Sequence, residues 1–130
     1  TKSMKIEHMN QDSRLWELII PILQNLRKKY EGTIVNCLFA RLPSKEKIFP
    51  HKDTGIHLLL INRIHVPIKT NSDVKFFIDG KKYVFPPGRC FELSNEKQHA
   101  VFNMSDEDRV HLIIDILPSY FRAFLNSSDS

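Results

Sequence analysis

A chain of 130 residues with 42% hydrophobic and 26% charged residues is long enough to bury a core without disulfide staples and too apolar for a disordered class. No apolar run approaches the roughly 20 residues of a membrane span, and the opening TKSMKIEHMN lacks the apolar block of a secretory signal. The net charge of +4 is scattered over Arg27-Lys28-Lys29, Lys45, Lys47, Lys81 and Lys82 instead of interleaving with aromatics on one face, which argues against nucleic acid as a partner. A single cytoplasmic domain over residues 1–130 is expected, with no membrane partner and with flexible ends at about 1–10 and 126–130.

From Asp12 to Tyr30, Leu15, Trp16, Leu18, Ile19, Ile22, Leu23 and Leu26 recur at helical spacing, with Asp12 or Ser13 as the cap and Gly32 after the last basic turn. Pro21 interrupts the pattern, so a kink or two short helices are expected. Trp16 reads as a packing anchor. After Gly32 the apolar period changes to two. Strands are expected at Ile34 to Leu42, Ile48 to His51, His57 to Val66, Val74 to Ile78, Lys82 to Phe85, Arg89 to Leu93, Ala100 to Asn103 and Arg109 to Ile116. Asp79-Gly80 is the strongest hairpin signal, and Pro86-Pro87-Gly88 makes another turn. A last short helix is expected over Ser119 to Leu125. Consecutive short strands without intervening helices exclude a parallel βαβ sheet and point to an antiparallel sandwich, jelly roll or barrel, with one or two N-terminal helices on one outer face. Cys37 and Cys90, without CxxC spacing, read as buried free thiols.

Chemistry concentrates in FPHKDTG, residues 49–55. Residues two apart on an extended strand share a face, so His51 and Asp53 present an imidazole and a carboxylate to one point. Taken alone, HxD also fits two solvated residues on a turn. A third ligand is needed, and His99, opening a late strand, is the best candidate. Two histidines and one carboxylate on one face of a metal leave open positions opposite, the arrangement of non-haem Fe(II) oxygenases. If Met104 to Asp108 forms a hairpin loop, Arg109 lies opposite Asn103, about 13 Å along the strand direction from His99 at roughly 3.3 Å per residue. That separation suits an extended diacid bridging the metal and a guanidinium, whose fork donates two charge-assisted bonds to a carboxylate. The other reading of Arg109 is a surface residue opening a strand after Asp106-Glu107-Asp108.

FPHKDTG, NRIHVPIKTN at 62–71, HAVFN at 99–103 and DRVHLIIDILP at 108–118 together resemble the successive motifs of the aspartyl/asparaginyl β-hydroxylase family. The likeness runs in order from about Leu42 to Pro118. It implies a double-stranded β-helix, a mainly β jelly roll of cupin type, and an Fe(II)- and 2-oxoglutarate-dependent dioxygenase that consumes O₂. His51 and His99 match the family's metal-binding histidines. Asp53 stands where many members place the third ligand and some have glycine. Arg109 matches the arginine that holds the distal carboxylate of 2-oxoglutarate. Arg63 and His65 match an RxH pair near the co-substrate. His111 shares the face of Arg109 by parity and is either a pocket residue or a hydrogen-bonded core histidine; His57 and His8 read as structural or exposed. Thr70 and Asn71 match the pattern after RxH without an assigned chemistry. One departure concerns the hydroxyl often supplied to the distal carboxylate from the strand before HxD: Phe39 and Ala40 have none, and Ser44 lies further along.

The implied reaction is hydroxylation of an amino acid or an amino-acid side chain, of Asp/Asn or proline type, with succinate and CO₂ as co-products. The expected substrate is a small amino acid or a short peptide. Two alternatives stand beside it: a jelly-roll binding module without turnover, and a metal-dependent cupin enzyme that does not use 2-oxoglutarate, although the usual HxH pair followed by glutamate is absent.

Overall fold

The computed structural model describes residues 2–5, 13–53 and 60–119. One helix, α1 (Ser13–Tyr30), precedes most of a β-rich chain whose strands are β1 (Lys2–Lys5), β2 (Gly32–Leu42), β3 (Lys47–His51), β4 (Asn62–Lys69), β5 (Val74–Ile78), β6 (Lys81–Tyr83), β7 (Phe91–Leu93), β8 (His99–Asn103) and β9 (Arg109–Pro118). They form a five-stranded sheet in the order β1-β2-β9-β4-β7 and a four-stranded sheet in the order β3-β8-β5-β6. Among the described residues every strand pairing in both sheets is antiparallel. This is a mainly β jelly roll, one of the three antiparallel architectures the strand pattern allows and the one the family resemblance implies.

The alternation along β9 explains the layers. Leu112, Ile114 and Ile116 are fully buried and pack with Ile64 and Val66 of β4, Cys37 and Phe39 of β2, and Ile19 and Leu26 of α1. Ile22, Leu23 and Tyr30 complete the helix stripe at i, i+3, i+4 spacing. The opposite face of β9 carries Arg109, His111, Ile113 and Asp115, and so turns every polar side chain of the strand toward the other sheet. Truncating a fully buried side chain such as Leu112 is expected to cost about 2–5 kcal/mol. The second core, between the sheets, is built from Leu42, Val74, Phe76 and Val101, with Ile48, Tyr83, Phe85 and Phe91 packed against it.

Several expectations need correction. Helix α1 is one element with Pro21 inside it, not two. Pro21 is exposed, so water can reach the Glu17 carbonyl that a proline leaves without a donor. The left-handed residue after the helix is Glu31 (φ 47°), not Gly32. Gly32 instead opens β2 hard against β9, where a Cβ would lie 2.7 Å from Ile116 Cγ2 and from the Leu117 carbonyl oxygen. Strand β4 covers Asn62–Lys69 and so runs past the expected end at Val66, while residues 57–59 of the expected strand lie outside the described residues, and β1 pairs with β2 in a stretch that carries no period-two signal. Cys37 is buried, but Cys90 is exposed on the short approach to β7. His8, His57 and the last expected helix beyond Ser119 fall outside the described residues, as does the side chain of Trp16.

The largest correction concerns β8 and β9. They are not a hairpin: β8 pairs with β3 and β5, while β9 pairs with β2 and β4 in the other sheet. Asn103, fully buried, closes this crossover. Its Nδ2 donates to the carbonyls of Leu42 (3.0 Å) and Glu107 (2.8 Å), and its Oδ1 accepts from the Ser105 backbone N–H (3.1 Å) and hydroxyl (2.6 Å). A side chain thus supplies the pairing that a hairpin ladder would have given. The Asp79-Gly80 hairpin forms as read: Ile78 pairs with Lys81, and both turn residues have positive φ (49° and 78°), the type I′ geometry.

Candidate functional site

Two bulges aim the site. On β3, the register passes from Ile48↔Val101 to His51↔His99, so three residues of β3 match two of β8. The irregularity falls at Phe49-Pro50, on an edge strand where a missing N–H is tolerated. Its effect is to bring His51 onto the inward face beside Ile48 and directly across from His99. On β2, the shift between Ile34 and Asn36 leaves Ile34 on the helix side and sets Asn36, itself exposed, opposite Asp115.

His51, Asp53 and His99 offer three ligand atoms that all lie within 4.8 Å of one another. Each histidine has its Nδ1 on a backbone carbonyl two residues earlier: His51 on Phe49 (2.9 Å) and His99 on Lys97 (3.0 Å). A carbonyl can only accept, so Nδ1 carries a proton, and the neutral ring in this tautomer has its lone pair on Nε2. Both Nε2 atoms stand 3.6 Å from Asp53 Oδ1, too long for a hydrogen bond and close enough for one ion to reach all three groups. The His51 side chain is 42% exposed, whereas His99 is 7% exposed. The three groups therefore sit at a mouth open on the His51 side. Two imidazole nitrogens and one carboxylate oxygen, with outer hydrogen bonds fixing both rings, fit a divalent first-row metal.

Behind this mouth lies a cavity of about 240 Å³ between the sheets, which His51, Asp53, Arg63, His65, His99 and Arg109 all line. Ala40, Ile48, Phe76, Leu93, Val101 and Ile113 make its apolar wall. The structure thus gathers all six residues singled out in the sequence, although Arg109 arrives from the facing sheet.

The two arginines differ. Arg63 is directly opposite Asp115 on β9. Its Nε and Nη2 donate to the two Asp115 oxygens (2.8 and 3.1 Å), and its Nη1 donates to Asp53 Oδ2 (3.2 Å). The Asp115 hydrogen bond is the main reason that Arg63 holds its proton more tightly than a free guanidinium. Arg109 is 2% exposed and donates from Nη2 to the Ala40 carbonyl (3.2 Å), while its Nε meets no partner. Burial, with no opposing charge, pulls its pKa down to about 10. Among the described residues no carboxylate pairs with Arg109. Ser44 is engaged elsewhere: its hydroxyl donates to the Ser105 carbonyl (2.7 Å) and its N–H to Asp108.

His65 and His111 form a neutral pair, Nδ1 to Nδ1 at 3.1 Å, in which one ring donates and the other accepts. Burial first, then the Arg109 charge, lowers His65 to about 3 and His111 to about 2. His65 stacks on Phe91 and His111 on Phe76. His111 is accordingly a hydrogen-bonded core residue outside the cavity lining, and His65 presents the pair's edge to the cavity. Asn71 acts locally, accepting from the Asp73 N–H (2.9 Å) in the turn before β5.

Sequence reasoning missed Asp115. It carried a usable signal: a carboxylate inside the apolar run HLIIDIL of β9, at the parity of Arg109 and His111, must have a buried partner. Asn36, whose Nδ2 donates to Asp115 Oδ2 (3.3 Å), was hidden by the bulge.

The architecture is a cupin-like jelly roll, and the His/Asp/His cluster at its mouth is a group that could hold a metal ion. The fold has matching solved structures: the cupin domain of Cnp3 from Schizosaccharomyces pombe (4% identity, 73% of this chain and 69% of that one, TM-score 0.53), a cupin protein from Bacteroides fragilis (17%, 71% and 73%, TM-score 0.50) and the nickel complex of the non-haem monooxygenase ThoJ (15%, 65% and 44%, TM-score 0.53). At these identities the likeness is one of fold. No curated protein matches the sequence. The family model for aspartyl/asparaginyl beta-hydroxylase matches residues 6–118, and the chain belongs to that family. Among the described residues no helix is long and apolar enough to cross a membrane.

Proposed function

We propose that this chain is an Fe(II)- and 2-oxoglutarate-dependent dioxygenase that hydroxylates an amino acid or an amino-acid side chain of Asp/Asn or proline type. The observation that carries the reading is Arg109: a buried guanidinium without a counter-charge among the described residues, in the same cavity as a His/Asp/His cluster. Burying an unpaired cation is costly, and a ligand carboxylate would offset that cost with charge-assisted hydrogen bonds to the free Nε–H and the fork beside it.

His51, Asp53 and His99 would hold the metal through Nε2, a carboxylate oxygen and Nε2. Once bound, Fe(II) supplies the activation of O₂ that couples oxidation of 2-oxoglutarate to succinate and CO₂ with hydroxylation of the substrate. The chain's own residues do the positioning. The carbonyls of Phe49 and Lys97 hold both imidazoles in the tautomer whose Nε2 can ligate. Arg109 fixes the distal end of the diacid, and Ile48, Phe76, Val101 and Ile113 exclude water from its methylene segment. The neutral His65–His111 pair adds no second positive charge beside Arg109. Ala40 contributes a carbonyl to Arg109 and no hydroxyl, so the guanidinium is the principal receiver of the carboxylate.

The test is turnover. Incubation with Fe(II), 2-oxoglutarate and O₂, against a panel of amino acids and short peptides, is expected to yield succinate in the parent and none in His51→Ala. Metal binding without any consumption of 2-oxoglutarate would contradict the reading.

A further inference from the structure

Arg63 touches both Asp53 and Asp115, and the geometry is asymmetric. Asp115 takes two of its donors, Nε at 2.8 Å and Nη2 at 3.1 Å, and Asp53 takes one, Nη1 at 3.2 Å. Asp53 receives that bond on Oδ2, whereas Oδ1 is the oxygen that faces both histidine Nε2 atoms at 3.6 Å. The two carboxylate oxygens therefore have separate tasks.

We infer that Asp115 is a positioning residue for the metal site: by occupying the fork of Arg63 it restricts that guanidinium to a single bond with Asp53 Oδ2, leaving Oδ1 free to serve as a one-oxygen ligand. The inference rests on the metal-binding reading above. It gives Arg63 a role in addition to the contact with the co-substrate that the family resemblance implies.

The fold builds this arrangement from three neighbouring strands. Asp115 lies on the central strand β9, directly across from Arg63 on β4, and receives Asn36 Nδ2 from β2 on its other side. The Asp115 side chain is 5% exposed, against 21% for Arg63 and 11% for Asp53. Asp115 is held from both flanks and Arg63 is held by Asp115, so the order of constraint runs from the sheet interior outward to the metal ligand. Two opposite charges cancel in the Arg63–Asp115 pair, which leaves the Asp53 charge available to a cation. Without Asp115, Arg63 would keep one carboxylate partner among the described residues, Asp53, and a guanidinium fork matches both oxygens of a carboxylate. It would then compete with the metal for Asp53.

The experiment titrates Mn(II), by calorimetry or by the resonance of the free ion, into the parent, Asp115→Asn, Arg63→Gln and the double variant, with folding monitored by circular dichroism. Asp115→Asn is expected to bind Mn(II) about 10–100-fold more weakly, the usual cost of losing an outer-shell partner. The double variant, which removes the released cation, is expected to return to within a few-fold of the parent. A merely structural Asp115 would lower the melting temperature and leave the affinity of the folded protein unchanged. Parent-like binding in Asp115→Asn, or a double variant as weak as Asp115→Asn, overturns the inference. His51→Ala separates this failure from the deeper one. Binding lost in His51→Ala but unaffected in Asp115→Asn removes only the positioning role, whereas a parent that binds no Mn(II) removes the metal reading with it.

Discussion

The cavity contains two arginines that the protein treats in opposite ways. Arg63, near the mouth, spends its donors on Asp115 and Asp53. Arg109, deep between the sheets, has one carbonyl and an orphaned Nε–H. Folding alone satisfies the first and leaves the second in deficit. Buried polar groups are nearly always paired, so the unpaired one supports the proposed anion site, and the paired one fits a residue that holds a neighbour still.

The contrast can be broken most severely at the mouth. His99→Ala removes a buried ligand atom and is expected to abolish Mn(II) binding, an effect larger than the roughly 100-fold upper range for outer-shell losses; calorimetric titration measures it. Retained binding would mean that the cluster is not a metal site.

Stability should then separate the two arginines by sign. Arg63→Met leaves Asp115 and Asp53 without their cation and is expected to destabilise the metal-free fold by about 3–5 kcal/mol. Arg109→Met removes an uncompensated charge whose pKa is depressed to about 10 and is expected to stabilise by about 1–3 kcal/mol. Urea unfolding of both variants checks this pair. Equal destabilisation would show that Arg109 has a partner after all.

A smaller effect follows from the neutral histidines. Burial keeps His65 at about 3 and His111 at about 2, below the unfolded value near 6.5. Below that value the unfolded chain binds protons that the native fold refuses, so stability is full above it and is lost as pH falls toward the folded values, by up to about 1.4 kcal/mol per pH unit for each histidine. A drop of roughly 2–3 kcal/mol is expected between about pH 7.5 and 5.5. In Arg109→Met the loss should level off at a higher pH, because removing the Arg109 charge, the second cause of both shifts, raises the folded values while burial, the larger cause, leaves the slope between about pH 7.5 and 5.5 unchanged; urea midpoints across pH read it directly.

Much of this was legible in the sequence, for uneven reasons. His51, Asp53 and His99 could be read because HxD and a strand-opening histidine are local patterns, and the sheet pairing of β3 with β8 then sets the histidines face to face. Arg109 was placed near them through a hairpin that does not exist. Its true neighbours come from β2 and β4, and no local period reports which sheet a strand joins. The chain turns between sheets at Asn103, whose side-chain bonds have no signature beyond the residue itself. Pro21 misled because propensity counts the lost hydrogen bond but cannot tell that the residue faces water. The Val35 bulge hid Asn36, since one extra residue reverses every later side chain of β2.

The central claim is that the deep arginine receives the far end of a diacid whose near end meets the metal. Calorimetric titration of 2-oxoglutarate into Mn(II)-loaded parent and Arg109→Met tests it most directly. The account predicts binding in the parent that weakens about tenfold to a thousandfold in the variant, with Mn(II) affinity unchanged. Equal affinity for 2-oxoglutarate in the two proteins would contradict it.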